Sequence, residues 1–254
     1  EFRRVLFRSE IWGYTTHGIA KTDAEMADWL KTHNQSQIGN NWAAGDMMYE
    51  DLNGDGVINY GAYTLTDHGD IKVIGNNTPR YNFGLNLDFQ YKAFDLSALF
   101  QGVGKRDVNV GSEPYFVGAN VNQWQSAAFV QHLDYFRPEN TTSPFGPNLN
   151  AYYPRVAFDS AGKNITPSGL PQTRYLQNGA YARLKNVQFG YSLPDELLSN
   201  LGLSRVRIYV SGENLVTWTK LSKIFDPETI DGAWGSGKVY PLSKVISTGL
   251  TVNF

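Results

Sequence analysis

From residue 81 to residue 91 every second position is apolar: Tyr81, Phe83, Leu85, Leu87, Phe89 and Tyr91 alternate with Asn82, Gly84, Asn86, Asp88 and Gln90. A period of two puts successive side chains on opposite faces of an extended chain, so this stretch predicts a strand with one apolar and one polar face. Lys92 and Ala93 make a tight turn, and Phe94, Leu96, Ala98 and Phe100 then continue the apolar face opposite Asp95, Ser97 and Gln101. The pair reads as a hairpin. The alternation returns over residues 181–193, where Val187, Phe189, Tyr191 and Leu193 oppose Asn186, Gln188 and Gly190. It returns again over 205–214, where Val206, Ile208 and Val210 oppose Arg205, Arg207, Tyr209, Ser211 and Glu213. The last stretch, 243–254, sets Ile246, Thr248, Leu250, Val252 and Phe254 against Val245, Ser247, Gly249, Thr251 and Asn253.

The connections between these strands alternate in length: short at Lys92, long over 104–175, short from Pro194 to Gly202, long over 215–242. Long unstructured connections count against a compact soluble domain. On the outer face of a membrane barrel they are ordinary, and the opposite face carries the short turns. The first strand also matches the ~9–11 residues that cross a bilayer when tilted, with a tyrosine for each interface. The pattern therefore predicts an all-β fold, an antiparallel transmembrane β-barrel with long extracellular loops at 20–80, 104–175 and 215–242. Five strands cannot close a lipid-facing barrel, so further strands are expected upstream.

Smaller elements are legible between the strands. Thr22 and Glu25 form a capping box that opens a short helix carrying Ala24, Met26, Ala27, Trp29 and Leu30. A second helix is expected around 122–133. Glu1 to Ser9 reads EFRRVLFRS, the translation of a string similar to part of a sequencing-library adapter. This segment is expected to be an assembly artefact, with residues 10–254 as the natural sequence; the alternative is a short basic strand or targeting segment, though it has no apolar core or cleavage site.

Composition narrows the function classes. With 18% charged residues, 14% aromatic residues and a net charge of -2, the chain has no basic field for nucleic acid. It has no cysteine, so disulfides and thiolate metal sites are excluded. A mean hydropathy of -0.37 and the lack of any long apolar run exclude a transmembrane helix but not a barrel, which shows lipid only alternate residues. The histidines at 17, 33, 68 and 132 lack zinc spacing, and GVGKR at 102–106 lacks the spacing of a phosphate loop. No Ser-His-Asp or paired-carboxylate arrangement is readable, so nothing argues for an enzyme.

One stretch does carry candidate chemistry. In DLNGDGVIN, residues 51–59, Asp51, Asn53, Asp55 and Gly56 match positions one, three, five and six of an EF-hand-like calcium loop, and the Val57 carbonyl would be a further hard oxygen ligand. Position twelve is Ala62 in place of the bidentate Glu, so Asp67 or Asp70 would have to substitute; the same pattern also makes an ion-free Asx turn. Trp124, Tyr135, Phe136, Tyr152, Tyr153, Trp218 and Trp234 fall in the expected outer loops, where they would stack on substrate or pack the loops. Arg205, Arg207 and Glu213 fall on the expected lumen face, as a salt-linked inner wall or a guide for substrate.

Several stretches together resemble a known family: GDMMYEDLNGDGVI from Gly45, NTPRYNFGLNLDFQYKAFDLSALFQG from Asn77, DYFRPEN from Asp134, TRYLQNGAYARLKNVQFGYSLP from Thr173, SRVRIYVSGENLVTWTKLSKIFDPE from Ser204, and the terminal YPLSKVISTGLTVNF. In this order they resemble the C-terminal barrel of the SusC/RagA family of TonB-dependent outer-membrane transporters. The resemblance implies a roughly 22-stranded barrel whose N-terminal plug and TonB-contacting region are missing here. It also implies a SusD-like surface lipoprotein as lid, energy from the TonB–ExbB–ExbD system, and import of a glycan oligosaccharide or a peptide across the outer membrane of a Gram-negative bacterium. The competing reading is a secreted, soluble, calcium-dependent carbohydrate-binding β-sandwich, which accounts for the aromatic residues and DLNGDG but not for the loop asymmetry.

Overall fold

The computed structural model describes residues 9–109, 130–156, 162–199, 202–230 and 240–254. Its strands are β1 (Glu10–Tyr14), β2 (Thr16–Ile19), β3 (Met47–Tyr49), β4 (Ile71–Asn76), β5 (Arg80–Tyr91), β6 (Phe94–Lys105), β7 (Asp107–Asn109), β8 (Leu176–Asn178), β9 (Tyr181–Ser192), β10 (Arg205–Thr219) and β11 (Val245–Asn253). Short helices α1 (Asp23–Trp29), α2 (Gly162–Ile165) and α3 (Asp195–Leu198) lie between them. The chain divides into two compact units, one of Glu1–Asn77, Asp107–Gln177 and Asp231–Lys238, the other of Thr78–Arg106, Asn178–Ile230 and Val239–Phe254.

The second unit is built on one five-stranded sheet in the order β11-β10-β9-β6-β5, every neighbour antiparallel. Its register reproduces the alternation in the sequence. Leu85 pairs with Phe100, Leu87 with Ala98 and Phe89 with Leu96. Leu96 continues to Phe189, Phe189 to Val210, and Ile208 to Leu250. These pairs make one apolar face running across all five strands. That face stays exposed: Leu85 is 50%, Phe89 65%, Ile208 51% and Leu250 63% accessible. A soluble sandwich would bury such a face against a second sheet, whereas the wall of a membrane barrel turns it to lipid.

Two glycines let large side chains lie flat on the sheet. A Cβ on Gly102 would come within 2.5 Å of the Phe83 ring, and one on Gly249 within 2.2 Å of Tyr209 Cζ. Lys92, in the two-residue turn between β5 and β6, adopts φ 53.

Two strands differ from the sequence reading. β9 carries an extra residue at Lys185, so that Leu99 faces Asn186 and the next partner of Phe100 is Leu184. The bulge resets the phase and brings Leu184 and Ala182 onto the apolar face with Val187 and Phe189. β10 does not end near Asn214. After a bulge at Asn214 and Leu215, Val216 pairs with Leu184 and the strand continues to Thr219. Trp218 is therefore not a loop residue: it sits on the wall opposite Ala182, stacked 6.4 Å from Phe100. The second long connection begins after Thr219, not after Asn214. Of the helix expected around 122–133, only a 3₁₀ turn at Val130–Leu133 lies within the described residues.

The first unit has its own core. β1 pairs with β4 and β2 with β3. The expected cap forms at the start of α1, where Thr22 Oγ1 accepts from Glu25 N at 3.1 Å, but the reciprocal bond is shifted by one residue: Glu25 Oε2 accepts from Lys21 N at 2.6 Å and not from the Thr22 amide. Met26, on the inner face of α1, packs with Ala20 and Met48. Trp29, Leu30 and Trp42 pack against this cluster, and Tyr14, Tyr49, Tyr175, Ile58 and Ile71 are also fully buried in this unit.

Polar groups buried in this core are tied across long stretches of sequence. Asp46 receives Lys163 Nζ at 2.8 Å, Arg155 Nε at 2.7 Å, Asn164 Nδ2 at 2.8 Å and the Ala43 amide at 2.9 Å. Gln172 joins Thr16 Oγ1 at 2.7 Å to the carbonyls of Asn164 at 2.7 Å and Ile165 at 2.9 Å.

Candidate functional site

Three regions carry chemistry: the DLNGDG loop, the aromatic loop residues and the polar face of the sheet. In the DLNGDG loop both Asp51 oxygens are held by backbone donors, Oδ1 by Gly54 N and Oδ2 by Gly56 N, each at 2.7 Å. Asn53 Oδ1 accepts from Asp55 N at 3.0 Å, Asp55 Oδ1 from Val57 N at 2.7 Å, and the Val57 carbonyl from Asn59 Nδ2 at 2.9 Å. Gly54 and Gly56, at φ 78 and 77, supply the left-handed turns. The four expected ligands thus share one turn, and their oxygens suit a hard cation by chemistry. Each, however, also serves a hydrogen bond that shapes the turn by itself.

Asp70 closes the loop from behind, accepting from Leu52 N and Asn59 N at 2.8 Å each. Its burial pushes the carboxyl up from its ordinary value, with the Asp51 charge adding to the rise, while backbone donors oppose it. Asp51 itself loses some solvation, yet the Gly56 and Gly54 amides hold its carboxyl below the usual range. Asp67 Oδ1 lies close against Gly61, where a Cβ would meet it at 2.2 Å. Among the described residues no group of three or more Asp, Glu or His side chains is arranged to hold a metal ion.

Of the loop aromatics that are described, Phe136 and Tyr153 are buried and Tyr135 and Tyr152 are half-buried. Phe136 and Tyr153 are 3% exposed. Tyr152, Tyr153 and Tyr175 form an edge-to-face cluster with His132, and the Arg137 guanidinium covers Tyr135 at 4.7 Å. Trp124 and Trp234 lie outside the described residues.

The polar face is a linked charge surface. Arg207 on β10 reaches across β9 to Asp95 on β6, with Nε donating to Oδ1 at 2.9 Å and Nη2 to Oδ2, and it also donates to Gln188 Oε1 at 3.0 Å. Gly190 makes this crossing possible, since a Cβ there would lie 2.5 Å from both Arg207 Nε and Asp95 Oδ1. Arg205 donates to Ser192 Oγ at 3.4 Å, and Glu213 is solvent-exposed. A second cluster, not expected from sequence, surrounds Arg183: its Nε donates to Thr217 Oγ1 at 2.7 Å and its Nη2 to Asp226 Oδ2 at 2.8 Å. Glu228 stands 3.0 Å from both Arg183 Nη1 and Lys185 Nζ. The sequence hid this cluster because its carboxylates lie in a connection more than forty residues away.

A wall whose apolar face is exposed and whose polar face carries crossed ion pairs defines an outer-membrane-type β-barrel segment. Comparison with known proteins makes the assignment more specific. The chain is 37% identical over 175 residues to TonB-dependent receptor P3 of Formosa agariphila, covering 69% of this chain and 15% of that protein. It is 30% identical over 220 residues to TonB-dependent receptor P26 of the same organism, covering 83% of this chain and 20% of that one. The chain thus spans a fifth or less of the length of these curated relatives. No family model matches. Among solved structures, the RagAB peptide transporter aligns over 96% of this chain and 23% of its own, with TM-score 0.58 at 18% identity; the RagAB peptide importer in its open-open state gives 0.54 at 19%. These agree in fold. The chain belongs to the TonB-dependent receptors.

Proposed function

We propose that this chain is part of the barrel wall and outer loops of an outer-membrane importer that takes up a nutrient, a glycan oligosaccharide or a peptide. Energy comes from the TonB–ExbB–ExbD system through a plug region, and a SusD-like lipoprotein delivers the ligand at the cell surface. The observation that carries this reading is the five-stranded antiparallel wall with its uncovered apolar face. The polar face behind it supplies a wet interior along which a hydrophilic solute passes, and crossed pairs such as Arg207–Asp95 keep its charges fixed. The test is an arginine scan of the full-length protein in its membrane. Leu85→Arg or Leu250→Arg should cost about 2–4 kcal/mol of barrel stability near the midplane, seen as loss of the heat-modifiable band. Asn86→Arg should be tolerated, and equal tolerance at all three positions rejects the lipid-facing wall.

Calcium is a second element of the proposal. Asp51, Asn53, Asp55 and the Val57 carbonyl would hold the ion and brace the loop they already shape. Calorimetry of the full-length protein tests this: calcium binding should disappear with Asp51→Ala plus Asp55→Ala, and unchanged binding ends the idea.

A further inference from the structure

We propose that residues 221–230, the first part of the connection between β10 and β11, form a strap latched across the polar face of the wall by Arg183, narrowing the aqueous route beside it. The inference rests on reading that face as the lumen. Arg183 belongs to that face by register: it pairs with Gln101 on one side and Thr217 on the other, while neighbouring Leu184 pairs with apolar Phe100 and Val216. Its side chain is 2% exposed, which for a charged group on a water-facing wall requires a cover. The cover is the strap. Asp226 Oδ2 accepts from Arg183 Nη2 at 2.8 Å, and Glu228 lies between Arg183 and Lys185 at 3.0 Å from each.

The strap is also fixed within itself. Asp226 Oδ1 accepts from Glu228 N at 2.9 Å, which aims both carboxylates at the wall, and Asp226 Oδ2 accepts from Leu242 N at 3.2 Å. One carboxylate therefore ties the start of the connection to the wall and to the far end of the same connection. Leu221, Phe225 and Ile230 are buried at 4%, 6% and 2% exposure. Lys185, the second wall cation, is the extra residue of the β9 bulge, and bulges re-aim a side chain. Two wall cations meet two strap carboxylates, so lifting the strap would uncover one set of charges and strand the other. The cost of separating buried partners makes the strap a standing constriction. Arg207–Asp95 differs in kind: it links strand to strand and holds no loop.

The test uses the full-length transporter in its own outer membrane. This chain has no cysteine to interfere. Phe225→Cys, buried in the strap, should react with a membrane-impermeant maleimide about tenfold or more slowly than Tyr240→Cys, a position 92% exposed. Adding Asp226→Asn or Arg183→Gln should raise the Phe225→Cys rate about tenfold and increase conductance of the purified protein in planar bilayers. Asp226→Asn is the deciding variant because it leaves the barrel strands untouched. Rapid labelling of Phe225→Cys alone, or no change in labelling and conductance with Asp226→Asn, overturns the strap. Heat-modifiable migration of the same variants separates the two claims: if it is present, such a result sinks only the strap, and if it is absent the membrane reading fails.

Discussion

Asp46 shows how single residues hold the first unit together. It is fully buried, and two cations, an amide side chain and a backbone amide converge on it from segments up to 118 residues apart. Desolvation raises its carboxyl, but Arg155, Lys163 and Asn164 outweigh this and hold it below the ordinary value. Burial pushes the Lys163 ammonium down, opposed by its bond to Asp46. Removing the carboxylate would strand Lys163, whose other partners are the carbonyls of Asn40 and Asn41 and the face of Trp42. Asp46→Ala is therefore expected to lower the local opening energy by about 3–5 kcal/mol, read as faster hydrogen exchange at the Met47 and Tyr49 amides at pH 7. The signs with pH follow from the directions of the shifts. Asp46, being depressed, contributes stability that is complete above the carboxylate's ordinary 3.8 and is lost as pH falls through its lowered value. Asp70, being raised, contributes in the opposite sense, most in acid and less as pH rises through its elevated value. The buried Lys163 charge is a cost across acid and neutral pH, relieved only toward 10.5. Tryptophan emission near Trp42 should therefore hold steady from pH 7 to about 3.8 and change below it, and Asp46→Asn should abolish that acid transition.

At the level of elements, alternation identified the five wall strands, and the short turn at Lys92 and the short connector holding α3 join β5 to β6 and β9 to β10, while the pairings of β6 with β9 and β10 with β11 span long connections. Bulges were what alternation could not reveal. Between Leu184 and Val187 the apolar positions are three apart, and a period of two reads that as a break, when it is one strand changing phase around Lys185. Gly212, Asn214 and Leu215 disguise the continuation of β10 in the same way: Asn214 takes φ 52, and Leu215 folds over Gly212, where a Cβ would meet Leu215 Cδ1 at 2.5 Å. The arginine scan extended to β9 locates the phase change. Val187→Arg and Leu184→Arg should both impair assembly, Gln188→Arg should not, and the cost should fall from ~2–4 kcal/mol toward ~0–1 nearer the interface. An uninterrupted odd-numbered pattern of sensitivity would contradict the bulge. The DLNGDG stretch was legible as an Asx-rich turn, but the backbone donors that Asp70 gathers were not, because they depend on a loop closing between Asn59 and Asp70, joined at 2.8 Å. Among the described aromatic residues, Tyr135, Phe136, Tyr152 and Tyr153 were legible as loop residues and Trp218 was not, because the bulge at Asn214 and Leu215 carries β10 on to Thr219.

For the whole molecule, strand order and connection length together fix which ends of the wall face the same side. Successive strands β5, β6, β9, β10 and β11 are nearest neighbours in an antiparallel meander, with β7 and β8 set within the long β6–β9 connection. Direction reverses at every step, so the connections at Lys92–Ala93 and 193–204 emerge at one end of the sheet and those at 106–180 and 220–244 at the other. An outer-membrane barrel places short turns toward the periplasm and long loops outside. Single cysteines test this sidedness. Lys92→Cys and Glu196→Cys should escape an impermeant maleimide in intact cells and react only once the outer membrane is opened. Phe145→Cys and Tyr240→Cys, 58% and 92% exposed in the native side chains, should react in intact cells. Reaction of all four without permeabilisation would place the chain at the surface without crossing the membrane. A reversed pattern would keep the wall and invert it, with the connections at 106–180 and 220–244 on the periplasmic side.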